Sequence, residues 1–124
     1  MFTGSGTVDT PIYRPDPNKT LRAAGETGET AVTHWEALGT NGSFSLLRIR
    51  LETGRTHQIR VHFMSLGAPL LGDEMYGGST ELIGRAALHC ERIRFTHPVT
   101  DKELTFAVEA PEDMQKLIRM INSL

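Results

Sequence analysis

The 124-residue sequence predicts an α+β fold, a mostly antiparallel sheet carrying two short helices. Three observations predict it. Asn41-Gly42 lies between two runs rich in β-branched, aromatic and aliphatic residues, the strongest short-range hairpin signal. A second pair of such runs flanks His97-Pro98. Apolar residues recur at helical spacing in two places only, after Thr56 and after Pro111.

Each element follows from local chemistry. Pro11, Pro15 and Pro17 exclude a helix from residues 1–30, which read as an extended arm with one short strand near Val8–Tyr13. The arm is too poor in apolar residues to fold alone, so residues 31–124 are expected to form the folded unit. Ala31–Leu38 is the first strand of the hairpin, Thr40-Asn41-Gly42 its turn and Ser43–Leu51 its second strand. Phe44, Leu46, Ile49 and Leu51 do not alternate cleanly, but Leu47, Ile49 and Leu51 share one face and Arg48 and Arg50 the other. Thr53-Gly54 breaks the strand, and Thr56 is expected to cap a helix over His57–Ser65. Its core face is Ile59, His62 and Phe63, flanked by Val61 and Met64. Gly67 and Pro69 end it.

Residues 69–78 form a loop with Leu70 and Leu71 as buried anchors. Ala87–Thr96 is a strand, with Leu88, Cys90, Ile93 and Phe95 on its apolar face. His97 to Lys102 make the turn into a strand over Glu103–Ala110. Pro111 opens the last helix, with Glu112 and Asp113 in its positive first turn and Met114, Leu117, Ile118 and Ile121 as its apolar stripe.

Composition excludes several function classes. No apolar run approaches the ~20 residues that span a bilayer, and the first ten residues have neither the basic start nor the apolar stretch of a signal peptide. Cys90 is the single cysteine, which excludes an internal disulfide and a multi-cysteine zinc site; a reducing cytoplasm is the expected compartment. A net charge of −2 gives no sign of nucleic-acid binding. The distribution of charge says more. Between Ser43 and His62 stand Arg48, Arg50, Arg55 and Arg60 against one acid, Glu52, and arginine outnumbers lysine ten to three in the chain. Arginine is the better fork for phosphate oxygens, although the same bias also follows from genomic composition.

The informative segment is Leu51–Gly77. A strand ends at a glycine and a helix begins, with Arg55, His57, Gln58 and Arg60 within six residues of one another. That is a cationic, donor-rich site at a helix start, suited to phosphate or carboxylate. His57 and His62 are five apart and lack the acid of a His-Glu-x-x-His motif, so no metal is expected.

The wording of this segment is more specific. GRTHQIR-V-H at 54–62, followed by G-x-P-L-L-G-D-x-x-Y-G at 67–77, resembles the signature of the RluA-type RNA pseudouridine synthases. Upstream, Gly6–Arg14 (GTVDTPIYR) and Gly28, Ala31, Thr33 and Trp35 are similar to the family's run into its hairpin. Downstream, Arg85-x-x-Leu88-His89, Phe95-x-His97-Pro98 and Ala110-Pro111 are similar to its late strands and final helix. Ala68 and Cys90 depart from the usual residues at their positions, outside the central motif. The larger departure is an absence. The family's nucleophile is an aspartate in a His-Arg-Leu-Asp run, and none of Asp9, Asp16, Asp73, Asp101 and Asp113 has that context. The resemblance therefore implies a partial catalytic domain, its C-terminal half, over residues 31–124.

The resemblance also implies roles. Arg60 would be the arginine that pairs with the catalytic aspartate, and its removal is expected to abolish turnover while sparing the fold. Arg50, Arg55, His57 and Gln58 are candidates for RNA contact; Arg55 and Gln58 alternatively brace the strand-to-helix turn, and His57 alternatively packs within it. Asp73 is expected in a structural turn, Tyr76 to pack, and His89 and His97 to bond at strand ends. The implied activity is isomerisation of uridine to pseudouridine in structured RNA, ribosomal in preference to transfer RNA, with no cofactor. A non-catalytic RNA-binding relic and one half of a split enzyme are the other readings. Self-association through exposed sheet edges is expected of a partial sheet.

Overall fold

The hairpin is the centre of the molecule. In the computed structural model, which describes residues 2–89, 92–96, 103–107 and 111–122, Asn41 builds the turn. Its Oδ1 accepts from the Ser43 and Phe44 amides at 2.9 and 3.0 Å, and Gly42 takes the left-handed φ of 91° that the turn requires. The strands it joins, numbered in chain order, are β4 (Val32–Thr40) and β5 (Ser45–Leu51). They pair antiparallel, with Thr33 opposite Leu51, His34 opposite Arg50, Trp35 opposite Ile49 and Glu36 opposite Arg48.

Ala37 faces Leu47, but Gly39 faces Leu46, so Leu38 is an extra residue in β4. This bulge accounts for the imperfect alternation of the second strand. Leu47 joins the face of Ile49, whereas Leu46 lies across from Gly39 beneath the last helix, α2 (Glu112–Asn122). A Cβ on Gly39 would stand 2.8 Å from Ile121, so the glycine admits the helix.

The arm differs from expectation. Residues 5–9 form β1 (Ser5–Asp9), which pairs antiparallel with β4 and makes a three-stranded sheet of order β1-β4-β5. Ile12–Tyr13 (β2) and Ala23–Ala24 (β3) form a second small ladder. Residues 5–9 are thus part of the sheet, and Val8 and Ile12 part of the core, whereas most of residues 13–22 are exposed. Val8 and Ile12, too few to fold an arm alone, are buried because the rest of the chain covers them.

One sheet face carries Thr7, His34, Glu36, Arg48 and Arg50, as the alternation requires. The opposite face carries Gly6, Val8, Thr33 and Trp35. A side chain at Gly6 would collide with the Trp35 indole at 2.6 Å. Phe2 stands edge-on to Trp35 and to Phe63, with ring centroids 5.0 and 5.6 Å away, and so joins the sheet to α1 (Gln58–Ser65).

Helix α1 begins one residue later than expected, and Thr56 does not cap it. His57 holds the N-cap position with φ 56° and gives no side-chain cap. Its buried face is Val61, His62 and Phe63, with Ile59 only half-buried. The face is rotated because Tyr76, Ile12 and Ala31 pack on the Val61 side. Gly67 at φ 76° ends the helix as expected, and the Ala68 amide returns to the Phe63 carbonyl at 2.9 Å. Leu70 and Leu71 are half-buried; the buried residues of that loop are Gly72, Asp73 and Tyr76.

The first of the late strands begins later than expected. β6 is Arg92–Thr96 and β7 is Glu103–Ala107, paired antiparallel with Ile93 opposite Phe106. Residues 87–89 are loop, and the Ala87 amide bonds the Leu71 carbonyl at 2.8 Å. The expectations for Cys90, for His97 and for the turn from His97 to Lys102 fall outside the described residues. Pro111 immediately precedes α2, and its carbonyl accepts from Met114 and Gln115. Leu117 and Ile121 are the buried part of the helix stripe. Among the described residues, no helix is long and apolar enough to cross a membrane.

Candidate functional site

The strand-to-helix turn after β5 is held by one amide side chain. Gln58 is 3% exposed. Its Oε1 accepts from the Thr53 hydroxyl (2.7 Å) and the Arg55 amide (3.0 Å). Its Nε2 donates to the Val32 carbonyl (3.0 Å) and the Thr33 hydroxyl (2.9 Å). The chain continues inward. Thr33 Oγ1 is 2.8 Å from His62 Nδ1, and His62 Nε2 is 2.8 Å from the Thr10 carbonyl. A carbonyl can only accept, so Nε2 carries a hydrogen, and in the neutral ring Nδ1 accepts a hydrogen bond from the Thr33 hydroxyl. The relay links Thr10, just past β1, with β4 and α1, and no buried side-chain polar atom is unpartnered among the described residues. Gln58 is therefore a brace. Both its polar atoms are engaged inside the chain.

Beside this brace lies a cationic cluster. Arg60 Nε and Nη2 donate to the two Asp73 oxygens at 2.9 and 2.8 Å, a bidentate fork. Asp73 is 1% exposed at its side chain and Arg60 22%. Hydrogen bonding to Asp73 raises the guanidinium pKa further, against a smaller opposing effect of burial. The Arg60 Cζ also sits 5.0 Å above the Tyr76 ring. Two constraints thus fix the plane of the guanidinium, and Nη1 is the end that Asp73 does not hold.

Asp73 is fixed in turn by its loop. Its amide bonds the Leu70 carbonyl, and its carbonyl receives the Tyr76 and Gly78 amides. Tyr76 is buried, and its hydroxyl accepts the Arg22 amide at 2.9 Å and lies 2.8 Å from His57 Nδ1. The phenolic hydrogen is free to donate to that nitrogen, which locks the His57 ring edge-on to Tyr76. Among the described residues, His57 is the only non-glycine with positive φ.

The His57 pKa is lowered by burial first, then by Arg60 and Arg22, with Asp73 opposing. The sign of its effect on stability follows. The unfolded ring binds a proton at about pH 6.5, and the folded ring does so only at lower pH. Its stabilising contribution is complete above pH 6.5 and is lost as pH falls through the folded value. Urea midpoints of the chain should therefore drop between pH 7 and pH 5, and drop less in His57→Asn, which does not titrate and tolerates the left-handed backbone. Equal slopes in both proteins would remove His57 as a source of acid sensitivity.

The remaining candidates do not bond Arg60. Arg55 Nε donates to the Thr30 carbonyl at 2.8 Å, and its Nη1 lies 3.3 Å from Glu29. It braces the turn and still shows 40% of its side chain to solvent. Arg50 is exposed on the polar sheet face with Arg48 and His34, along a shallow cleft of about 350 Å³. Sequence reasoning missed that Asp73 would engage Arg60 and that Tyr76 would engage His57. Both residues stand in the 67–77 motif, which was the only signal available.

Comparison with known proteins agrees with the motifs. A family model described as RNA pseudouridylate synthase matches residues 1–65. The uncharacterized RNA pseudouridine synthase YhcT of Bacillus subtilis is 44% identical over 121 residues, spanning 96% of this chain and 40% of that protein. The ribosomal large subunit pseudouridine synthase D of Vibrio parahaemolyticus is 44% identical over 127 residues, spanning 91% of this chain and 39% of that protein. The chain thus covers about 40% of the length of these relatives. Human RNA pseudouridylate synthase domain containing 1 superposes over the whole chain with a TM-score of 0.70 at 20% identity, using 62% of that structure. Human RNA pseudouridylate synthase domain containing 4 superposes with a TM-score of 0.66 at 24% identity over 96% of this chain and 57% of that structure. At those identities the likeness shows the fold alone.

Proposed function

Because this chain belongs to the RNA pseudouridylate synthase family, we propose that it supplies the arginine-bearing part of an enzyme that isomerises uridine to pseudouridine in ribosomal RNA. The observation that carries this reading is Arg60, in the family's motif and held by Asp73 and Tyr76 with Nη1 left outside the fork to Asp73. The nucleophilic aspartate is assigned to residues outside these 124. A fixed cation beside such a carboxylate keeps it ionised and oriented. The target uridine is turned out of the stack to reach it. The bond from N1 to the ribose breaks, the base rotates, carbon five joins the ribose, and the proton leaving carbon five is balanced by one gained at N1. No redox partner, metal or cofactor enters this balance. Arg55, Arg50 and the outward edge of His57 are the proposed RNA contacts. Among the described residues the second edge of β5 pairs with no strand, which supports addition of the aspartate-bearing part, or of a second copy, at that edge. The names of the ribosomal relatives support a cytoplasmic setting.

The test is made in cells. Pseudouridines in ribosomal RNA are mapped with the gene intact, deleted, and restored as wild type or as Arg60→Lys, at matched protein abundance. Lysine keeps a charge for Asp73 but not the planar fork. The expected result is loss of at least one pseudouridine on deletion, restored by wild type and not by Arg60→Lys. An unchanged map on deletion would overturn the ribosomal assignment. Full restoration by Arg60→Lys would remove the guanidinium from the chemistry.

A further inference from the structure

Arg14 and Arg22, the two ends of the segment joining β2 to β3, line a polar cleft of about 500 Å³ together with residues 27–29 and the 54–56 turn before α1. Its lining includes Arg14, Arg22, Arg55, Thr27, Thr56 and one acid, Glu29. Three guanidinium groups against one carboxylate leave the cleft net positive in a chain whose total charge is −2.

Each arginine is anchored by a main-chain carbonyl. Arg14 Nε donates to Lys19 at 2.6 Å, Arg22 Nη1 to Thr20, and Arg55 Nε to Thr30 at 2.8 Å. A carbonyl fixes a guanidinium without neutralising it, so the remaining N–H groups of Arg14 and Arg22 stay charged and oriented, whereas Arg55 also pairs with Glu29 at 3.3 Å. The floor is equally defined. Ile12 and Glu29 exchange both amide-to-carbonyl bonds at 2.9 and 2.8 Å, and a Cβ on Gly28 would stand 2.5 Å from the Ile12 carbonyl. The cleft adjoins the Arg60 cluster, because the Arg22 amide donates to the Tyr76 hydroxyl beneath Arg60.

We infer that this cleft binds phosphodiester groups of an RNA strand, with Arg14 and Arg22 joining Arg55 in contacting the non-bridging oxygens beside the nucleotide that reaches Arg60. Arginine forks match such oxygens, and phosphate contacts fix the register of a strand without reading its bases. The inference rests on the RNA reading above and extends it to two residues to which sequence reasoning assigned no role. An acidic peptide offers carboxylates to the same forks; contiguity with the Arg60 cluster favours RNA.

The chain itself serves for the test. Binding of a fluorescent RNA hairpin with a uridine-containing loop is measured from about 50 to 200 mM salt, a range over which phosphate contacts weaken markedly. Each contact to single-stranded phosphate contributes about 0.7 to the slope of log affinity against log salt. Arg14→Gln and Arg22→Gln should each lower affinity several-fold and flatten the slope by about that amount, and together by about twice as much. Arg119→Gln, on the exposed side of α2, should change neither. An unmoved slope in the double variant, absence of salt-dependent binding by the wild type, or equal displacement by polyglutamate would overturn the inference. The pseudouridine map is an independent readout. A moved slope with an unchanged map would leave a phosphate cleft and sink the ribosomal assignment. A changed map with an unmoved slope would do the reverse.

Discussion

Arg60→Ala is expected to destabilise the chain by about 3 kcal/mol, the low end of the cost of breaking a buried ion pair from one side. The asymmetry of burial sets the size. Asp73 is 1% exposed and Arg60 22%, so deleting the arginine strands a carboxylate that water cannot reach without opening the loop. The Tyr76 ring also loses the cation above it. The sequence reading expected Arg60→Ala to spare the fold, and the fork to Asp73 argues otherwise. Adding Asp73→Asn in the Arg60→Ala background should recover part of the loss, because no buried charge then remains. Urea unfolding of the wild type, the two single variants and the double variant measures this directly. Additive losses, with no recovery in the double variant, would mean that the two side chains do not act as a pair. It also follows that loss of activity in Arg60→Ala alone says little about chemistry, which is why Arg60→Lys is the informative variant in cells.

What was legible in the sequence was local. Asn41-Gly42 defines the hairpin because the asparagine oxygen and the glycine backbone act within four residues. Gly67 ends α1, and Glu112 and Asp113 open α2, through equally short-range bonds and charges. What was not legible depends on distant partners. β1 pairs with a strand more than twenty residues away, and nothing in Ser5–Asp9 announces that partner. The helix face is turned toward Val61 by Tyr76, which arrives from the following loop. The site divides in the same way. The motif located Arg60, Asp73, His57 and Tyr76 in the sequence. Their pairing required a loop to return across α1, which spacing alone does not determine.

Gly72→Ala is expected to carry the other large effect, and Gly77→Ala is its control. Both glycines have left-handed φ, 77° and 91°, so alanine at either costs about 1–2 kcal/mol of backbone strain. They differ in space. A Cβ at Gly77 meets nothing within 4 Å, whereas one at Gly72 falls 1.9 Å from the Arg85 carbonyl oxygen and 2.7 Å from that of Ile83. These are main-chain atoms and cannot swing aside. The Ala87 amide bonds the Leu71 carbonyl at 2.8 Å, so the two segments separate only at the expense of that bond. Gly72→Ala should therefore cost about 3 kcal/mol or more, against about 1 kcal/mol for Gly77→Ala. The displaced segment is the one that carries Asp73 and Tyr76, so the Arg60 fork and the His57 bond should loosen with it. Amide exchange should show this as lost protection at Asp73, Tyr76 and Gly78, whose amides bond within that loop. Equal costs for the two variants would mean that backbone conformation alone decides at Gly72, and that the close approach of the 83–85 strand of chain does not hold Asp73 against Arg60.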